Sequence, residues 1–402
     1  MVISNHLPDQ NGCGGGGGII EKNQTICRLN ISAYVRLPST RPPLTGVGRH
    51  AVCVLRELTG FDQVSLIAYR RDLTLGGDVP AGNALAGFPV SSLPVSHYLI
   101  ERCWHLLHAP AVDAFAHAAD WCYAPFECYI PSRRARVAVT FHDLHALEPD
   151  LPWSDTATHQ RFASRWRRKL KPIVKHTDVL LAVSEFTKSR IQDLLGVSSD
   201  RIAVVGNGVD EMFFQPLPPL SQQETALHEN RPYVLLTGGL TRKKGGQYVL
   251  PVAEALARRS PDVRFIVTGF RNDPDFERRG REIGNFIFAG HVDDALYHKL
   301  LGRARLLLFL SRYEGFGIPI LEAMAMGVPV VASQFSSLPE VVGDAGFQVD
   351  AGATQDVAAV IHELCISHSS CQPMIERGRR RAGERRWRKC ALAVHEALHA
   401  RS

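Results

Sequence analysis

The chain has 402 residues, 45% hydrophobic and 21% charged, a composition that excludes large-scale disorder and leaves room for two or three domains with proper cores. Its 46 basic and 40 acidic residues give a net charge of +6, compatible with an anionic substrate or lipid surface and requiring neither; no nucleic-acid partner is expected. Nine cysteines lie scattered without a C-x-x-C pair, and Cys122/Cys128 and Cys365/Cys371 lack zinc spacing, so reduced thiols in a cytosol are expected.

No apolar run approaches the roughly 20 residues that cross a bilayer. The N-terminus lacks the charged start and continuous apolar segment of a signal peptide, so a cytoplasmic protein is expected. Residues 1–25 are polar and glycine-rich, with Gly14 to Gly18 consecutive. No strand precedes that run and no amphipathic helix follows it. It therefore reads as a flexible leader or an upstream start codon, not as a phosphate loop. Leu29 to Leu37 predicts the first strand. Gly46 and Gly48 predict a turn, and Val47, Val52, Val54, Leu55 and Leu58 an amphipathic helix. Strand, glycine turn and helix open a Rossmann-like half.

Gln63 to Tyr69 predicts a second strand, 73–96 a loop, His97 to His108 a helix, and 120–136 an irregular segment holding Trp121, Tyr123 and Tyr129. Val137 to Phe141 predicts a buried strand with His142-Asp143-Leu144 at its carboxyl end, where parallel α/β sheets bind ligands. A lone histidine is also a common structural residue. Residues 161–175, RFASRWRRKLKPIVK, carry seven basic and no acidic residues, with apolar side chains between them. They read either as a solvated helix packing its apolar side or as a face that docks on anionic lipid. A strand–helix and a strand follow, with Ser184 a helix cap. The Pro-, Gln- and Ser-rich stretch 213–231 predicts the interdomain linker.

Tyr233 to Thr237 starts a second Rossmann-like unit. Its loop, Gly238 to Gly246, carries Lys243 and Lys244, and glycines plus cations at a strand–helix junction fit a diphosphate. It is not a Walker loop. Strands are predicted at Val263 to Thr268, Asn285 to Ala289 and Leu306 to Leu310, with a helix at Asp293 to Gly302; two helices are predicted beyond 350, the last at roughly 373–400. In 311–333, SRYEGFGIPILEAMAMGVPVVAS, Pro319 suits the first turn of a helix and Gly327 its C-terminus, and Val328 to Ala332 predicts a strand covered on both faces. Glu314 precedes this helix and Glu322 lies about one turn inside it. A phosphate at the helix start would have a carboxylate on either side, which suits the hydroxyls of a hexose and a ribose.

EGFGIPILEAMAMGVPVVAS, followed by SSLPEVVGDAGFQVD at 336–350, resembles the signature region of the retaining glycosyltransferases of family 4, including its two glutamates with seven residues between them. The resemblance extends over roughly 26–400, through the TGVGR, HDL, VSEFTKSRI and NGVD stretches. It implies an α/β fold of the GT-B kind, two Rossmann-like domains facing across a cleft. The expected division is a leader 1–25, an acceptor-side domain 26–212, a linker 213–231, a nucleotide-sugar domain 232–384, and a helix 385–402 returning to the first domain.

The resemblance also implies site residues. His142, Lys244 and Glu314 would be catalytic: His142 beside the donor hexose, Lys244 on the donor phosphates, Glu314 on the hexose hydroxyls. Gly46, Gly48, Gly239, Lys243, His291, Val292, Gly315, Phe316, Gly317, Ile318 and Glu322 would complete the donor site, with Glu322 on the ribose and the His291 turn against the base. The glycine loop at 46–48 and the turn at His291 each keep an ordinary-turn alternative. Many members carry arginine where this chain has Gly239, which leaves the partner of Lys244 open. No metal and no cofactor are implied. The expected reaction is retaining transfer of a hexose, mannose from GDP-mannose favoured, to a carbohydrate or lipid-linked acceptor in cell-surface polysaccharide synthesis. Rhamnose, glucose or fucose donors, a phosphorylase or epimerase on the same fold, and a non-catalytic nucleotide-sugar-binding protein are the alternatives. A peripheral contact with the inner face of the cell membrane through 161–175 is a further expectation.

Overall fold

A computed structural model describes residues 28–116, 118–222, 231–269, 272–366 and 371–402. The leader and 223–230 of the linker lie outside the described residues.

Thirteen strands among the described residues form two wholly parallel sheets. The first contains β1 (Asn30–Tyr34), β2 (Gln63–Tyr69), β3 (Val90–Leu93), β4 (Trp121–Ala124), β5 (Arg136–Phe141), β6 (Val179–Ala182) and β7 (Ile202–Val204), in the order β3-β2-β1-β4-β5-β6-β7. The second contains β8 (Tyr233–Thr237), β9 (Arg264–Thr268), β10 (Phe286–Gly290), β11 (Leu306–Phe309), β12 (Val330–Ser333) and β13 (Phe347–Val349), in the order β10-β9-β8-β11-β12-β13. Helices cover both faces of each, which is why WCYA, VLLA and LLLF are buried at every residue. The strand order reverses between β1 and β4 and again between β8 and β11. At such a switch point the loops after two strands diverge and leave a crevice at their carboxyl ends.

Twelve helices of the described residues are numbered α1 (Gly46–Leu58), α2 (His97–Leu107), α3 (Ala157–His176), α4 (Glu185–Leu195), α5 (Gly246–Arg259), α6 (Pro274–Ile283), α7 (Asp294–Arg303), α8 (Ile318–Met326), α9 (Leu338–Val342), α10 (Thr354–Ile366), α11 (Gln372–Gly383) and α12 (Trp387–His399). Helix α8 carries Pro319 in its first turn and ends on Gly327 in the left-handed region, as the sequence predicts. The Ser184 hydroxyl caps α4 by accepting from the Thr187 amide at 2.9 Å.

Three readings of the sequence are corrected. The predicted loop 73–96 contains β3, an edge strand with only Leu93 buried, so its apolar signal is weak. The segment 120–136, predicted irregular, begins with the fully buried strand β4, too short beside Pro125 for periodicity to show. The predicted final helix is two: α11 stops at Gly383, and Arg386 is extended. There the chain crosses between the domains, and the Val209 amide donates to the Arg385 carbonyl at 2.9 Å. Beyond that crossing α12 lies on α1, where Trp387, Ala391, Val394 and Leu398 share a core with Val54, Leu55 and Leu58.

Candidate active site

The two switch points face each other across one cleft. The loop after β8 turns through Gly238 and Gly239, both at positive φ (+87° and +82°), a conformation that favours glycine over any arginine at position 239. This lets the Lys244 side chain lie over Gly238; a β-carbon there would stand 2.8 Å from Lys244 Cε. Lys244 Nζ donates to Glu314 Oε1 at 2.7 Å, which joins the loops after β8 and β11. Gly317, at φ +106°, turns the chain into α8, and Glu314 is held by its amide donating to Ser336 Oγ at 2.9 Å.

The first domain closes directly on this loop. A β-carbon on Gly315 would fall 1.6 Å from the His142 carbonyl oxygen. The glycine therefore permits close approach to the opposite domain. Ser184 Oγ and Thr187 Oγ1 donate to the Gly315 carbonyl at 2.6 and 3.1 Å. His142 Nε2 donates to the Pro125 carbonyl at 2.9 Å, which sets the ring's orientation. His50 stands edge-on to it with ring centroids 4.8 Å apart. His50 Nδ1 donates to Asn207 Oδ1 at 2.8 Å, leaving Nε2 buried and without a hydrogen-bond partner. Burial, with His142 beside it, pushes the His50 imidazolium down to about 3, so the ring stays neutral.

Lys243 does not join Glu314. Its Nζ reaches across to Asp143 Oδ2 at 3.0 Å, while His145 Nδ1 donates to Asp143 Oδ1 at 2.5 Å. Burial alone would raise the Asp143 carboxyl, but the His145 hydrogen bond and the Lys243 charge outweigh it and hold the group well below the usual range.

Glu322 is buried on the inner side of α8. Tyr297 of α7 donates to its Oε2 at 2.9 Å, and Arg49 of α1 stands 3.6 Å from its Oε1. Arg49 also pairs with Asp210, and with Asp294 at 2.9 Å. One guanidinium thus faces three carboxylates, two of them on the opposite domain. Burial pushes the Glu322 carboxyl up to about 7, against the pull of Arg49 and of the Tyr297 hydroxyl. The cavity beside it, of about 280 Å³, is lined by Gly46, Arg49, Thr237, Gly238, His291, Val292, Asp294, Tyr297, Ile318 and Glu322 among others. The sequence candidates Gly46, His291, Val292, Ile318 and Glu322 are thus brought together, with Glu314 and Lys244 at one end of the same helix and loop. Phe316 is 4% exposed and packs in the second domain's core, so only its backbone faces the loop. Gly48 meets the Ser39 carbonyl, where a β-carbon would stand 2.5 Å away, so a side chain has no room there.

Sequence reasoning missed Arg49, Asp143 and Tyr297 as site residues. Arg49 and Asp143 lie in the TGVGR and HDL stretches, beside candidates it did name. Nothing local marks Tyr297.

The profile described as Glycosyltransferase Family 4 matches residues 44–212, and that described as Glycosyl transferases group 1 matches 231–366. The O-antigen chain mannosyltransferase B of Escherichia coli is 30% identical over 379 residues, 88% of this chain and 96% of that protein. The MMP alpha-(1->4)-mannosyltransferase of Mycolicibacterium hassiacum is 30% identical over 60% of this chain and 62% of its own. Among solved structures, Anabaena HepE in complex with UDP-glucose superposes with a TM-score of 0.65 at 18% identity, covering 93% of this chain and 100% of its own. WaaG, a glycosyltransferase involved in lipopolysaccharide biosynthesis, does so with a TM-score of 0.63 at 15%, covering 92% and 99%. These two similarities concern the fold.

Proposed function

The chain belongs to the family 4, group 1 glycosyltransferases of GT-B fold, and from that premise we propose that it moves a hexose from a nucleoside-diphosphate sugar to a carbohydrate or lipid-linked acceptor, with retention. Mannose from GDP-mannose is the favoured donor, and cell-surface polysaccharide synthesis the setting. Similarity to the two mannosyltransferases supports the sugar. The observation that carries the reading is the Lys244–Glu314 pair at the β8/β11 switch point, opposite His142 and just ahead of α8, which holds buried Glu322 about one turn inside it.

In this reading the nucleoside fills the cavity beside His291 and Val292, with its ribose hydroxyls on Glu322. The diphosphate lies along Lys244, Lys243 and the amino end of α8, whose free amides favour an anion. These groups stabilise the leaving diphosphate as its charge develops. The anomeric carbon–oxygen bond breaks, and the acceptor hydroxyl attacks from the same face. Its proton passes to the departing phosphate. Glu314 positions the hexose, and His142 sits beside the developing positive charge. Asp143 holds Lys243 across the cleft until a donor displaces it. A donor panel scored by nucleotide release, with and without a membrane extract, tests the proposal. Release from GDP-mannose stimulated by extract is expected. No release from any donor would favour a binding protein, and release indifferent to acceptor would favour a phosphorylase or epimerase.

A peripheral membrane contact is part of the same proposal. Helices α2 and α3 enclose a groove of about 820 Å³ lined by Arg102, Arg165, Arg168, Lys169, Lys171 and Lys175. Tyr98, Leu106 and Leu107 stand beside it, each about 70% exposed. Cations flanked by exposed apolar side chains suit an anionic lipid surface. No described helix is long and apolar enough to cross a membrane.

A further inference from the structure

Helix α12 carries His395 and His399 four residues apart, hence on one face and one turn from each other. Their rings lie 4.2 Å apart between centroids. Both face Asp62, in the turn between α1 and β2. His395 Nδ1 is 2.8 Å from Asp62 Oδ2, and His399 Nε2 is 3.7 Å from Asp62 Oδ1. Asp62 and His395 are buried, at 2% and 5% exposure. The Leu29 amide donates to Asp62 Oδ1 at 3.1 Å and so fixes the carboxylate. His399 Nε2 is shielded from solvent yet has no hydrogen-bond partner. One ligand atom from each of the three residues lies within 4.8 Å of the others.

We propose that Asp62, His395 and His399 form a site for a divalent transition-metal ion of the zinc type. Two imidazoles and a carboxylate are a donor set such ions take. The orphaned His399 nitrogen supplies a lone pair with nothing else to satisfy it, and the Leu29 amide orients the carboxylate as outer-shell groups do in metal centres. The remainder of the His399 side chain, 26% exposed, gives the ion an access route and leaves a coordination position for water. Closing the set requires His395 Nδ1 to give up the proton it donates to Asp62 Oδ2, which metal binding releases to solvent, and His399 to shift inward, since zinc–ligand bonds are about 2.0–2.2 Å. That is a side-chain adjustment at the end of a helix.

The site has a structural role. Asp62 follows the far end of α1, about 20 Å along the axis from the amino end that faces the cleft. The ion would pin α12, the helix that follows the crossing between domains, to the first domain's α1–β2 turn. Bound metal then adds to the stability of this docking.

The test uses the full-length protein stripped with chelator and desalted, then titrated with zinc alone. Calorimetry and melting temperature are the readouts, with cobalt absorption as a direct probe of coordination. One equivalent bound with a rise in melting temperature is expected in the parent. His399→Ala, at a partly exposed position in the last turn of the helix, keeps the fold and should weaken zinc more than tenfold. Nucleotide release, which uses groups at the other end of α1, should survive that change. An absence of zinc-dependent stabilisation in the parent, or the same stabilisation in His399→Ala, overturns the proposal. If His395→Gln fails to fold, the His399→Ala comparison still decides.

Discussion

Replacing Glu322 by Gln tests the charge arrangement at the centre of the cleft. The carboxyl rises from an ordinary 4.5 to about 7 in the folded chain, chiefly through burial. The folded state therefore holds a proton that the unfolded state has released across that window. By linkage, the stability contributed by this group is fully present below 4.5 and lost as pH rises through about 7. At 1.36 kcal/mol per pH unit of separation the full loss is about 3 kcal/mol. Gln has no proton to lose. Unfolding free energy by denaturant should therefore show parent minus Glu322→Gln falling by up to about 3 kcal/mol from acid to neutral pH and levelling above it. Subtraction removes the titration of every group that does not interact with Glu322, leaving Glu322 and the carboxylates that share Arg49 with it. The same proton links to the donor: ribose hydroxyls bind an ionised carboxylate more strongly, so nucleoside-diphosphate binding near pH 6 should release protons. Calorimetry in buffers of different ionisation enthalpy reads that release. Parallel stability curves for parent and variant would refute the reasoning and place Glu322 in ionised contact with Arg49 throughout.

Glu314→Gln weakens the bond to Lys244 and, on the proposed donor placement, should loosen the hexose; kcat should fall by about 10²-fold while affinity for free GDP stays near normal, measured by initial rates and titration. Glu322→Ala should instead raise the donor KM with a smaller change in kcat, because the ribose does not react. Gly315→Ala puts a methyl group where the His142 carbonyl oxygen stands, 1.6 Å from its β-carbon. The domains must part, so small-angle scattering should report a larger radius of gyration and kcat should drop about 10²-fold; an unchanged radius would mean the closed contact is dispensable. Neutralising Arg165, Arg168 and Lys169 together should weaken binding to phosphatidylserine vesicles and its salt sensitivity, while turnover on a soluble acceptor survives.

Much of this protein is written locally. A run such as LLLF or VLLA is apolar at every position because a parallel strand is covered on both faces, so the strand can be read without its neighbours. Pro319 and Gly327 mark the ends of α8 because a missing amide is harmless in a first turn and a left-handed residue suits a last one. Glu314, Lys244 and His142 could be named from motifs because each follows a strand of its own. The short strands β3 and β4 escaped, since four residues hold too little period to stand out from a loop. Which charges meet was decided only by closure of the two domains and by the return of the last helix to the first. Lys243 finds Asp143 one hundred residues away, Arg49 finds Asp294 at a separation of 245, and His395 finds Asp62 at 333. No periodicity encodes those distances. They depend on how two sheets face each other and where the last helix returns, and burial at those contacts sets how tightly Glu322 holds its proton.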